Sequence, residues 1–201
     1  YNNMAFNLTR ARGIDCKDTI GGLRRIFLVK AYANNILENA NITETEMLAG
    51  GFANWSSAET NIVTVHQYNL IPNLSSMTVN INSDNANGTT FFNQTLSVTL
   101  QKIDHDSTNE LRLMAYSRSQ IFVEDSNNNC FLLGVQNGCH VTGGTVFTGT
   151  AMGDQNGYTI EWGADEKDAL IQVIPSLGIS TAKAPFDQLT DVANLTINTP
   201  S

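Results

Sequence analysis

The residues able to do chemistry in this chain are few and scattered. Asp104-His105-Asp106 is the densest triplet. A histidine flanked by carboxylates holds its proton more tightly and could act as a general base. The triplet sits just before Ser107-Thr108-Asn109-Glu110, a capping box, where the helix dipole favours acids. A structural role is therefore expected of it. Cys139-His140 sets a thiol beside an imidazole in sequence, but adjacent side chains on a strand point to opposite faces. The following Val141-Thr142-Gly143-Gly144 is no nucleophile elbow. His66 has no second ligand at i+2 or i+4, so a metal site would need three distant segments to converge. Gly21-Gly22, Gly50-Gly51 and Gly143-Gly144 form no phosphate loop. Asp165-Glu166-Lys167-Asp168 reads as a solvated turn. A carboxylate pair for glycoside hydrolysis is defined in space, not in sequence, and only two Trp argue against a sugar cleft. The expectation is a chain with no active site, no cofactor and no metal.

Three cysteines, Cys16, Cys130 and Cys139, contain no C-x-x-C. A Cys130–Cys139 bridge across a short hairpin is conceivable, while three buried, reduced thiols are the expectation. Seven N-x-[ST] sequons follow from the abundance of Asn, Ser and Thr, which fill 58 of 201 positions.

Charged residues are only 15% and apolar ones 41%, too many for a disordered chain. No run approaches the roughly 18 apolar residues of a membrane span. The composition also argues against a coiled coil or long-helix bundle. Net charge −8 and a pI near 4.7 disfavour a nucleic-acid reader. The charge is uneven. Residues 1–30 hold six bases and two acids (+4), and the other 171 hold five bases and seventeen acids (−12). A basic end could bind the acidic body of a neighbouring copy, although exposed pairs are weak.

The elements that must position these residues are mostly strands. Leu23–Val29 is the first candidate. Residues 34–61 read as a long excursion with short-helix signatures at Thr43-Glu44-Thr45-Glu46 and Ser56–Glu59. From residue 62 the period becomes two. Ile62–Val65 is a short β-branched run. Met77, Val79 and Ile81 alternate with polar residues, as do Leu96, Val98 and Leu100. Ser83–Gly88 between them is a hairpin loop. A helix is expected at about 108–117, with Leu111, Met114 and Ala115 on one face. Ile121–Val123, Phe131–Leu133, Val146–Thr148, Tyr158–Trp162 and Leu170–Ile174 follow as strands. Asn127–Asn129, Asn137-Gly138 and Gly153–Gly157 are the turns, and Asn-Gly is the strongest short hairpin signal. The fold class expected is mainly β (α+β): an antiparallel β-sandwich or half-barrel with one short flanking helix and extended arms. The organisation is an N-terminal arm (1–22), a body (23–175) containing the long loop 34–61, and a C-terminal arm (176–201).

Four stretches together resemble a known family. They are Gly21-Gly22-Leu23-Arg24-Arg25-Ile26-Phe27-Leu28, then Phe92–Lys102, then Glu110 through Asp125, then Gly149 through Tyr158. They resemble the virion structural proteins of tailed bacteriophages, in particular tail tube proteins, over about residues 20–175. The resemblance implies a β-sandwich with one flanking helix. It also implies stacked hexameric rings and a lumen through which DNA passes without specific binding. On it the chain is expected to reside in the virion, assembled in the host cytoplasm. Its partners would be copies of itself and other virion proteins, and the 66–100 region would supply the long hairpin. A capsid, neck or connector role, or a monomeric adhesin or carbohydrate-binding module, are the alternatives.

Candidate assembly contacts follow from charge and from apolar residues without an evident partner. Arg24 and Arg25 lie in the basic segment, and Glu44 and Glu46 in the long loop. Leu189, Val192, Leu195 and Ile197 are apolar beads of the tail. Asn194–Ile197 is expected to add as a strand to a neighbour's sheet edge.

Overall fold

A computed structural model describes residues 19–29, 63–173 and 195–200 of this chain. Glu44, Glu46, Leu189, Val192, Cys16 and the loop 34–61 lie outside those residues.

The described chain is mainly β. Its elements are β1 (Leu23–Val29), β2 (Val63–Asn69), β3 (Ser76–Asp84), β4 (Thr89–Gln101), α1 (His105–Tyr116) and β5 (Ile121–Asp125). They continue with β6 (Cys130–Leu133), β7 (His140–Phe147), β8 (Gly157–Glu166), β9 (Ile171–Val173) and β10 (Leu195–Asn198). Two sheets form a sandwich, one in the order β10-β2-β1-β5-β6-β9 and the other in the order β3-β4-β8-β7. Every ladder is antiparallel except β10 on β2.

Strict alternation places the core. Leu96 and Val98 on β4 and Tyr158, Ile160 and Trp162 on β8 turn to the other sheet, and all are at most 3% exposed. Ile26, Leu28, Ile121, Val123 and Leu133 meet them. The six-stranded sheet is unlike its partner because the centre of its second face is also buried. Phe27, Phe122, Leu132 and Ile171 stand in register across four strands of that face, each at most 1% exposed. This explains why its strands read as unbroken apolar runs, Ile26-Phe27-Leu28-Val29 and Ile121-Phe122-Val123, rather than as alternation.

An ion pair is buried on this second face. Glu124 is fully buried, and the Arg25 guanidinium grips it through Nε (3.1 and 3.2 Å) and Nη2 (2.7 Å). Arg24 Nη1 stands 3.7 Å from the same carboxylate and donates to Asn128 Oδ1 at 2.8 Å. Arg25, expected as an assembly contact, is thus engaged inside the subunit. A buried carboxylate needs a cation more than an exposed surface does.

Several sequence expectations change here. The helix starts three residues earlier than expected, because Asp104, not Ser107, is its N-cap. Asp104 is extended and its carboxylate accepts the Ser107 N–H at 2.6 Å. Glu110 does not close a capping box but accepts from Tyr68 Oη at 2.7 Å. Ile62–Val65 grows into β2 as far as Asn69, which puts His66 in mid-strand. Asn137-Gly138 joins no hairpin, because β6 and β7 belong to different sheets. Gly138 takes φ +73 in a crossover instead. In the single chain Leu195–Asn198 pairs parallel with the chain's own β2, Leu195 opposite Val63 through Asn198 opposite His66. Cys130 and Cys139, by contrast, are as expected: both are buried free thiols.

Among the described residues, Arg25→Ala leaves the buried Glu124 carboxylate with Arg24 as its remaining cation. The expected cost is about 3 kcal/mol, the lower end for breaking a buried pair. Urea unfolding of the variant beside the parent measures it, and a loss below about 1 kcal/mol would show that Arg24 takes over the pair.

Candidate functional site

The residues with chemical potential are dispersed by the fold and occupied by structural duties. Asp104 caps α1, and that bond holds its carboxyl below the usual range. His105 Nε2 meets Asn109 Nδ2 at 3.2 Å, one turn along the helix. His66 Nδ1 faces Asn198 Nδ2 at 3.5 Å, at the opposite edge of the cleft described below. His140 opens β7 beside the buried Cys139, whose thiol is pushed up by burial and then by the Glu166 charge, so it is a poor nucleophile. Among the described residues no group of three His, Cys, Asp or Glu could hold a metal ion. No helix among them is long and apolar enough to cross a membrane.

The acidic run 165–168 is not the solvated turn expected of it. Asp165 ends the outer face of β8 and accepts from Asn93 Nδ2 at 2.8 Å. Glu166 points the other way, is 3% exposed, and accepts the backbone N–H groups of Gln136 (3.2 Å) and Asn137 (2.9 Å). Period two hid this, because a charge run on a strand must send alternate members inward. Burial raises the Glu166 pKa, and the two N–H groups pull it back part of the way.

A cleft of about 660 Å³ lies between β2, α1 and the C-terminal residues. Tyr68, hydrogen-bonded to Glu110, lines it together with Asp104 and Asp106. Burial, then the hydrogen bond and charge of Glu110, raises the Tyr68 phenol far above its ordinary value, so it is a fixed donor and not a base. The Tyr158 hydroxyl at the inner wall is held by Thr108 Oγ1 (2.8 Å) and the Asp104 carbonyl (3.2 Å). These groups are paired with one another and are not poised on an open reacting position.

The second candidate is a surface. The strands β3, β4, β7 and β8 contain no lysine or arginine. The solvent face of their sheet is built from Asn93, Thr95, Ser97 and Thr99 on β4 and Thr159, Glu161 and Asp165 on β8. Its only full charges on these two strands are carboxylates. Among the described residues its edge strands β3 and β7 each have one neighbour. The β3–β4 hairpin spans Ser76–Gln101, within the 66–100 region singled out in the sequence but for its last residue. It carries Ile81 at 69% and Phe91 at 41% exposure towards its tip. An exposed β-branched residue on an edge strand, as Ile81 is on β3, is what soluble monomers avoid. Composition had hinted at the polar face, but which strands shared it could not be read before the register was known.

No protein-family model, curated protein or solved structure matches this chain.

Glu166 gives a pH dependence with a definite sign. A carboxyl whose folded pKa is raised contributes stability fully below the ordinary carboxylate range, and loses it as pH rises through the raised value. Glu166→Gln should therefore flatten the fall in urea midpoint as pH rises above the ordinary carboxylate range. A parent and variant with parallel profiles would mean that the backbone N–H groups fully offset burial.

Proposed function

We propose that this protein is a structural, self-assembling virion subunit, most simply the tail tube subunit, forming stacked hexameric rings around a DNA-conducting lumen. The virion setting and the sixfold rings come from the resemblance in the sequence. The observation that carries the physical side of the reading is the four-stranded sheet, which has two edge strands and an acid-only polar face.

An antiparallel sheet with an even number of strands has edges that run in opposite directions. The β7 edge of one copy can therefore meet the β3 edge of the next and continue the antiparallel pattern. Such a head-to-tail contact is heterologous, and it closes into a ring if the rotation permits. Closing a sheet on itself removes its edges, which explains how exposed Ile81 on the β3 edge could be tolerated. A ring built this way turns one sheet face inward. The face away from the core is lined by Thr, Ser and Asn with Glu161 and Asp165. Carboxylates without cations repel phosphates, and uncharged hydroxyls and amides offer DNA no counter-ion to release. Such a surface lets a duplex pass without gripping it. In this reading the protein has no catalytic role, and the helix and the six-stranded sheet form the outer layer.

Size-exclusion chromatography and negative-stain microscopy of the purified chain test the proposal: rings or tubes support it, and a chain that stays monomeric at high concentration overturns it in favour of a binding module. Ile81→Lys puts a charge on an exposed edge position, where folding stability should change by no more than about 0.5 kcal/mol. It should nevertheless abolish rings and tubes.

A separate variant tests the face. Glu161→Lys with Asp165→Lys should leave assembly intact but make the particles retain DNA, in a manner that weakens steeply with salt. Assembled particles that gain no affinity for DNA would place the lumen on another face.

A further inference from the structure

We infer that the C-terminal strand β10 is exchanged between copies, each subunit laying residues 195–198 on the β2 edge of its neighbour. This rests on the self-assembly proposed above and names a contact that the ring argument does not use. Three features of the fold point to it.

The first is the position of β10. It follows β9 in sequence, yet the two lie at opposite edges of the six-stranded sheet. Consecutive strands are usually neighbours, and connections that cross a whole sheet are uncommon. The second is its direction. β10 is the parallel member of an otherwise antiparallel sheet, and it touches β2 through a four-residue register, Leu195 to Asn198 against Val63 to His66. Nothing in that ladder requires the two strands to come from one chain, because every bond in it is a backbone bond available to any copy. The third is reach. Five interstrand gaps of about 4.8 Å put the two edges about 24 Å apart. Residues 174–194 join Val173 to Leu195, a contour of up to about 70 Å when extended. The connection is long enough to deliver the same strand to an adjacent subunit.

Within an assembly the two arrangements form the same hydrogen bonds. The exchanged form adds a tether between copies that are already neighbours, so it acts at a high effective concentration. It also satisfies the β2 edge of every subunit. An unassembled chain, having no neighbour, closes the edge with its own strand.

His66 and Asn198 make the test direct, since their side chains meet across the β10–β2 ladder. Two full-length chains with Cys16→Ser are needed, one with His66→Cys and the other with Asn198→Cys, carrying tags of different length. They are co-expressed, assembled and treated with a short bismaleimide. Cys130 and Cys139 are buried and should not react. The expected result is a covalent heterodimer, capped by random mixing at about half of the assembled chains, and absent when either variant is treated alone. The chain carrying both substitutions should give ladders of multimers when assembled and internally linked monomers when dissociated. Assembled particles that yield no heterodimer, with the double variant linking only within itself, would overturn the exchange and leave the assembly proposal standing. A chain that never assembles and links only internally would overturn both.

Discussion

The architecture depends on how the chain crosses from one sheet to the other at residues 134–138. Those residues leave β6 in the six-stranded sheet and enter β7 in the four-stranded one, so their backbone N–H groups have no ladder to join. Buried N–H groups need acceptors. Gln94, 1% exposed on β4, takes that of Gly134 at 3.0 Å, and Glu166 takes those of Gln136 and Asn137. Gly134 itself is at φ +67, and a Cβ there would stand 2.5 Å from the Cys139 nitrogen. Two polar side chains on the inner face of one sheet thus hold the only link between β6 and β7. The position of β7, and with it one edge of the four-stranded sheet, follows from that anchorage.

The two sheets then face different solvents. The central strands of the six-stranded sheet, β1, β5 and β6, are buried on both faces, and even their buried charge, Glu124, is matched by Arg25 at 2.7 Å. The four-stranded sheet is dry on one side and presents hydroxyls, amides and carboxylates on the other. This asymmetry separates roles physically. A doubly buried sheet is a rigid support, because its residues cannot change without disturbing two packed layers. A singly buried sheet can have its outer chemistry set independently of its core, since alternate residues serve different faces. In the proposed tube the second sheet is where contact with passing DNA would be controlled.

The helix illustrates how a short element is positioned by neighbours rather than by burial. No residue of α1 is fully buried. Its N-terminus is fixed by Asp104, its flank by Tyr68 on Glu110, and its first turn by the Thr108–Tyr158 hydrogen bond. Leu111 and Met114 pack on the edge of the core, while Leu113 and Tyr116 remain 71% and 85% exposed.

Much of this was legible in the residues. The alternation of Leu96, Val98 and Leu100, and of Tyr158, Ile160 and Trp162, identified strands and their inward faces, because a period of two leaves an apolar residue no other place to go. The turn residues at 83–88, 127–129 and 153–157 identified three hairpins for an equally local reason. The sequence could not say that Asn137-Gly138 is a crossover, since the same φ > 0 preference serves a hairpin and a bend. Nor could it assign Arg25 to Glu124 or send Glu166 inward, because those partners are about a hundred and about thirty residues away in the chain. The tail strand was recognised from its composition, but its site on β2 depends on which edge the packed sheet leaves open. Local sequence determined which segments are strands and which side of each is apolar. Only the tertiary structure decided which strands are neighbours, which charges are paired, and which face of which sheet meets water, because those are properties of segments brought together from afar.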